Sequence, residues 1–113
     1  MKFMLLFAGG DPGLTISAPQ SAEKQNQMKR WGDWMVGLAK EGVLESGSPF
    51  LESGKLVSRE GAFEFHKGKD DYSGYVILNV PTEQHAAEIA GTAPHIVFGG
   101  TVVVRPCAEV PKS

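Results

Sequence analysis

The 113-residue chain has a mass of 12.1 kDa, is 42% hydrophobic and 21% charged, and carries eleven basic against thirteen acidic residues. That is one domain with one core, since a chain of this size buries roughly 65% of its unfolded-state surface. Near-balanced charge argues against direct nucleic-acid binding, where phosphate neutralisation needs a basic excess. A single cysteine, Cys107, excludes an intrachain disulfide framework and is expected of a cytoplasmic protein.

The opening apolar stretch, Lys2 to Ala8, stops at the turn cluster Gly9-Gly10-Asp11-Pro12-Gly13, too soon for a secretory h-region. It reads as a strand with Phe3, Leu5 and Phe7 on one face and Met4, Leu6 and Ala8 on the other. Apolar residues on both faces mark a central strand. No stretch approaches the roughly 18 apolar residues of a membrane span, so no membrane partner is expected. Residues 9–20 form a loop. It lacks the Gly-Lys-Ser/Thr ending of a phosphate loop.

Ser21 is placed to cap a helix running to about Lys40. Met28, Trp31, Met35 and Leu38 form one stripe at helical period, widened by Trp34, opposite Asn26, Lys29, Arg30, Asp33, Gly37 and Lys40. Gly32 and Gly37 each cost about 1 kcal/mol relative to Ala inside a helix and point to tight packing there. Gly42 is a natural C-terminal stop. Val43 to Phe50 is extended and, with Pro49, belongs at an edge. Lys55–Ser58 and Ala62–Phe65 are short strands joined by a turn at Arg59-Glu60-Gly61.

Gly74 to Val80 is the clearest strand, again apolar on both faces. Thr82 caps a second helix with a buried stripe of Ala86, Ile89 and Ala90, ended by Gly91, and Pro94 prevents its continuation. Thr101 to Arg105 is the last strand. The order β-α-β-(β)-β-α-β matches the split βαβ, ferredoxin-like arrangement, an α+β fold with an antiparallel sheet and helices on one face. Two helices shelter only one face of such a sheet. The other is expected to be covered by a second copy packed face to face, giving a homodimer.

The later chain carries a family resemblance. Ser73-Gly74-Tyr75-Val76-Ile77-Leu78, Ala86-Ala87-Glu88-Ile89-Ala90, Ala93-Pro94-His95 and Gly99-Gly100-Thr101-Val102-Val103-Val104-Arg105-Pro106, with Lys2-Phe3-Met4-Leu5-Leu6 and Lys40-Glu41-Gly42-Val43-Leu44, resemble the YCII-related proteins, in particular the branch named for a DGPF box. The resemblance covers nearly the whole chain and implies a single domain over residues 1–113 that pairs into a dimeric α/β barrel. One branch of that family resembles dehydrochlorinases of aromatic degradation; others are associated with transcription. The chain departs from the pattern twice. The box is not intact: Glu60-Gly61-Ala62-Phe63 is a degenerate form, followed by Lys67 and Lys69-Asp70 where a Glu-x-Lys-Glu run is usual. The His and Asp that the resemblance to the YCII branch implies as a catalytic pair are replaced by Trp31 and Ala93, neither of which transfers a proton.

The residues left to carry chemistry are His95 and His66, in loops that the resemblance places near the site and therefore expected to be solvent-accessible beside a cleft. Trp31, Tyr75 and Phe7, with Lys69, are the candidate ligand contacts, in a cleft between the sheet and the first helix. The three histidines have no short ligand spacing and no second cysteine exists, so no metal site and no cofactor are expected. Two functions follow: binding of a small organic molecule, with acid–base chemistry by a loop His, or a non-catalytic dimeric interaction or regulatory module. An enclosed pocket of about 300 Å³ with converging polar groups favours the first, and a filled core favours the second.

Overall fold

A computed structural model describes residues 1–9, 22–51, 53–66, 68, 71–97 and 99–110. The elements are β1 (Lys2–Gly9), α1 (Ala22–Lys40), β2 (Leu44–Pro49), β3 (Ser53–Ser58), β4 (Gly61–His66), β5 (Tyr72–Asn79), α2 (Glu83–Gly91), α3 (Pro94–Val97) and β6 (Gly100–Pro106). Four strands form one antiparallel sheet in the order β2-β5-β1-β6, with β1 and β5 central as their two apolar faces require. This is the ferredoxin-like order, with α1 and α2 in the two crossovers. Strands β3 and β4 form a separate two-stranded hairpin inserted between β2 and β5.

Alternation decides which half of the sheet is core. Phe3, Leu5 and Phe7 of β1 and Val76 and Leu78 of β5 are fully buried beneath the helices, joined by Leu38 of α1 and by Ala86, Ile89 and Ala90 of α2. Each large side chain so buried contributes about 1.5–3 kcal/mol. The stripe on α1 meets this face: Trp31, Trp34 and Met35 pack against the buried cluster, while Asn26, Lys29, Arg30, Asp33, Gly37 and Lys40 are exposed. Gly42 takes φ +75° after the helix, the left-handed stop expected of it. The Thr82 hydroxyl accepts from the His85 amide at 3.1 Å and starts α2.

The opposite face keeps Met4, Leu6, Tyr75 and Ile77 only half-buried and Val103 37% exposed. These residues are cross-strand neighbours: Met4 faces Ile77, and Leu6 faces both Tyr75 and Val103. Among the described residues no helix packs on this side. The radius of gyration, 15.3 Å, exceeds the roughly 13 Å of a compact domain of this length, and the shortest extent of the chain is 20 Å, two layers of structure.

One expectation needs correction: Gly32 and Gly37 do not mark tight packing, for a Cβ at either would meet no atom within 4 Å. Helix α2 ends at Gly91 as expected, and Pro94 begins the short α3, which the sequence reading did not include. The capping residue assigned to α1, Ser21, lies outside the described residues.

Candidate functional site

The site is built where α1 crosses the β2/β5 edge of the sheet. Near the amino end of the β1/β5 pairing the register shifts: Phe7 faces Gly74, but Ala8 faces Tyr72, so Ser73 has no partner on β1. The Ser73 hydroxyl instead donates to the Phe7 carbonyl at 3.2 Å, and its own carbonyl accepts from the Phe50 amide at 2.8 Å. Next to this irregularity the sheet presents Gly74 and, on β2, Gly47, two residues without side chains under the helix. A Cβ at Gly47 would come within 2.7 Å of Met35 Cε and 3.0 Å of the Tyr75 carbonyl oxygen. Glycine there sets how deep the floor lies.

The result is a cavity of about 210 Å³ between α1 and the sheet. Met28, Trp31, Gly32 and Met35 form its helical wall; Phe7, Gly47 and Val76 are among the residues of its sheet wall. Phe7 and Trp31 meet edge to face at 4.6 Å, and Trp34 closes an aromatic triangle at 5.4 Å from Trp31 and 6.1 Å from Phe7. Among the described residues no carboxylate, imidazole or amine lines the cavity. The two serine hydroxyls at its rim donate to main-chain carbonyls, Ser48 to Pro49 and Ser73 to Phe7. The indole N–H of Trp34 is taken by the Thr92 hydroxyl at 2.9 Å, whereas that of Trp31 is buried and has no partner among the described residues. A buried donor left unpaired costs about 1–3 kcal/mol.

Of the residues singled out from sequence, Phe7, Trp31 and Tyr75 come together around this cavity. Tyr75 does so from a strand whose alternation puts its side chain on the far face, where its ring stacks on Phe50 at 5.8 Å. Lys69 lies outside the described residues. The expected accessibility of His95 is corrected: it is 1% exposed, held in α3 rather than in a loop. Its Nε2 lies 2.8 Å from the Ala8 carbonyl oxygen, and its ring packs edge to face on Phe7 at 5.6 Å and on Trp31 at 6.2 Å. His95 therefore buttresses the aromatic wall without lining the cavity. His66 is exposed, as expected, but it ends β4 in the inserted hairpin and does not border the cavity either. Sequence reading missed Met28, Met35, Gly32 and Gly47 as wall residues. The signal was Gly32, whose missing side chain opens one turn of α1 beside Trp31.

Measured against the expected 300 Å³ with converging polar groups, the cavity is smaller and its wall almost entirely apolar. Its volume exceeds the roughly 150 Å³ that holds one benzene ring in an engineered protein core.

No family model matches the chain, and no curated protein matches it. Among solved structures, it is similar in fold to 5-chloro-2-hydroxyhydroquinone dehydrochlorinase (TftG) from Burkholderia phenoliruptrix AC1100, in complex with 2,5-dihydroxybenzoquinone. The TM-score is 0.59 at 13% sequence identity, over 97% of this chain and 96% of that one. The likeness runs end to end and is one of fold.

Proposed function

We propose that this domain binds a small, uncharged, single-ring organic molecule in the cavity between α1 and the sheet. The observation that carries the reading is the wall itself: Phe7, Met28, Trp31, Met35 and Val76 surround about 210 Å³ with no charged side chain among the described residues. Desolvating an ionised ligand against such a wall, with no partner for its charge, costs several kcal/mol. Burying a neutral ring gains about 25 cal/mol for each Å² of apolar surface removed from water. The quinone bound to the TftG dehydrochlorinase is a single ring of comparable size. The resemblance to YCII-related proteins points to the same class of ligand. Acid–base work by His95 would need the ring to reach past Phe7 and Trp31, so the reading rests on binding.

Gly32→Leu tests it. A side chain at Gly32 meets open space, so the substitution fits, and relief of the helix from glycine is worth up to about 1 kcal/mol. Because Gly32 lines the cavity, the added side chain occupies it. The expected result is a melting temperature equal to or above wild type, with the thermal shift given by substituted benzoquinones and phenols abolished. A variant that keeps the wild-type ligand response would place the binding elsewhere.

The domain acts as a homodimer joined through the open sheet face, as a dimeric α/β barrel. Met4, Leu6, Ile77 and Val103 support this reading, since they form an apolar patch that nothing described covers. A two-fold pair covers the same patch on both copies at once. The lone Cys107 suits the reducing cytoplasm, and no described helix is long and apolar enough to cross a membrane.

A further inference from the structure

The inserted hairpin is amphipathic, and nothing described covers its apolar face. Leu56 faces Phe63 across the β3/β4 ladder, and Phe65 lies two residues further along the same side. They are 58%, 50% and 37% exposed. The reverse side carries Ser53, the Lys55–Glu64 ion pair, Val57 and His66. The turn Arg59-Glu60 is held on itself, the Ser58 hydroxyl meeting the Glu60 carboxylate at 2.8 Å and holding that carboxyl below its usual range. Neither strand makes extended contact with any other described element. A two-stranded hairpin standing alone is at best marginally stable in water. Three large apolar side chains aligned on one side of it are therefore placed for a surface the single chain does not supply.

We propose that the β3–β4 hairpin is a dimerisation arm, its Leu56–Phe63–Phe65 face packed on a second copy of this chain. The inference rests in part on the sheet-face dimer proposed above and adds what that dimer lacks. Four strands at about 4.8 Å spacing and about seven residues long present a face of roughly 440 Å². A stable interface buries about 800 Å² on each partner. A projected face of that size leaves room for further contact, and the arm brings Leu56, Phe63 and Phe65, all exposed in the single chain. It also leaves and rejoins the chain at the β2/β5 edge of that face. The hairpin leaves β2 at Pro49 and rejoins β5 at Tyr72, beside Phe50 stacked on Tyr75, with Leu51 exposed next to them. Two-fold symmetry makes the exchange reciprocal, each arm resting on the other copy.

The experiment combines sedimentation equilibrium on the full chain with photo-crosslinking. In the first, Leu56→Ser, Phe63→Ser and Phe65→Ser are combined; in the second, a benzophenone amino acid replaces Phe63 alone. The arm predicts self-association weakened at least 30-fold in the triple variant, with the melting curve of the dilute monomer unchanged, and a crosslink joining two chains. Crosslinks confined to the chain's own residues overturn the arm, including when the triple variant fails to fold. An unweakened dimer in a folded triple variant also overturns the arm and leaves the sheet-face dimer standing. A monomeric wild-type chain at tens of micromolar overturns both.

Discussion

Gly100→Ala is expected to lower the melting temperature by more than about 10 °C, although it adds one methyl group to a residue at the end of the sheet. The cause is His95. A Cβ at Gly100 would be driven into the imidazole, within 2.6 Å of Cε1 and closer still to Nε2 and Cδ2. The ring has nowhere to go, being fully buried against Phe7 and Trp31 and bonded through Nε2 to the Ala8 carbonyl. Overpacking of this kind costs about 1–3 kcal/mol. Displacing the ring also breaks its bond to the Ala8 carbonyl, which keeps only the longer contact from the Thr101 hydroxyl at 3.4 Å. The two sites are therefore coupled, and a double-mutant cycle shows it. His95→Ala alone is destabilising, because it leaves a hole under the aromatic wall. Adding Gly100→Ala to that background should cost almost nothing further. Costs that simply add in thermal or denaturant unfolding would show that Gly100 does not exist to admit the histidine.

Ile77→Glu is expected to convert the dimer to monomer, weakening association at least 100-fold while leaving the chain folded. Ile77 sits on the central strand β5 opposite Met4, on the face away from the helices, and is only half-buried in the single chain. A carboxylate there remains hydrated in the monomer. In the paired state it is stripped of water among Met4, Leu6 and Val103, with Lys2 and Arg105 elsewhere on the same face, and symmetry introduces the penalty twice. Burying such a charge at an interface costs about 2–5 kcal/mol, enough for the stated change. Val76→Glu on the neighbouring residue provides the contrast. Val76 points to the helices and is buried, so that substitution should unfold the chain instead. Light scattering and far-ultraviolet circular dichroism separate the two outcomes. Equal effects at the two positions would contradict the assignment of the faces.

Most of the scaffold was legible because its signals are local and periodic. Apolar alternation on both sides of Phe3–Phe7 and Val76–Val80 can only be satisfied in the middle of a sheet, and β1 and β5 are there. The spacing of Met28, Trp31, Met35 and Leu38 specified a helix with one buried side. The site was legible only in part. Phe7 and Trp31 announced themselves as aromatics on facing elements. Met28 and Met35 looked like ordinary members of the same stripe, because periodicity tells which side of a helix faces the sheet but not where the contact is incomplete. The opening depends on Gly32, Gly47 and Gly74, absences of side chains on three different elements. The burial of His95 was illegible for a related reason. Pro94-His95 reads as surface in its own neighbourhood, and its place in the interior depends on a glycine in the β1/β6 ladder, where Gly9 faces Gly100. Such long-range pairings leave no trace in a window of ten residues.

The most direct test of ring binding between α1 and the sheet uses the four methionines as reporters. Met28 and Met35 line the cavity, whereas Met4 lies on the opposite face of the sheet. With methyl-labelled methionine, titration with 2,5-dihydroxybenzoquinone, p-benzoquinone, phenol and toluene should shift the Met28 and Met35 methyl signals saturably for at least one neutral ring and leave Met4 in place. Met28 and Met35 signals that stay fixed up to millimolar concentrations of all four compounds, or a Met4 signal that moves in step with them, would contradict binding at that site.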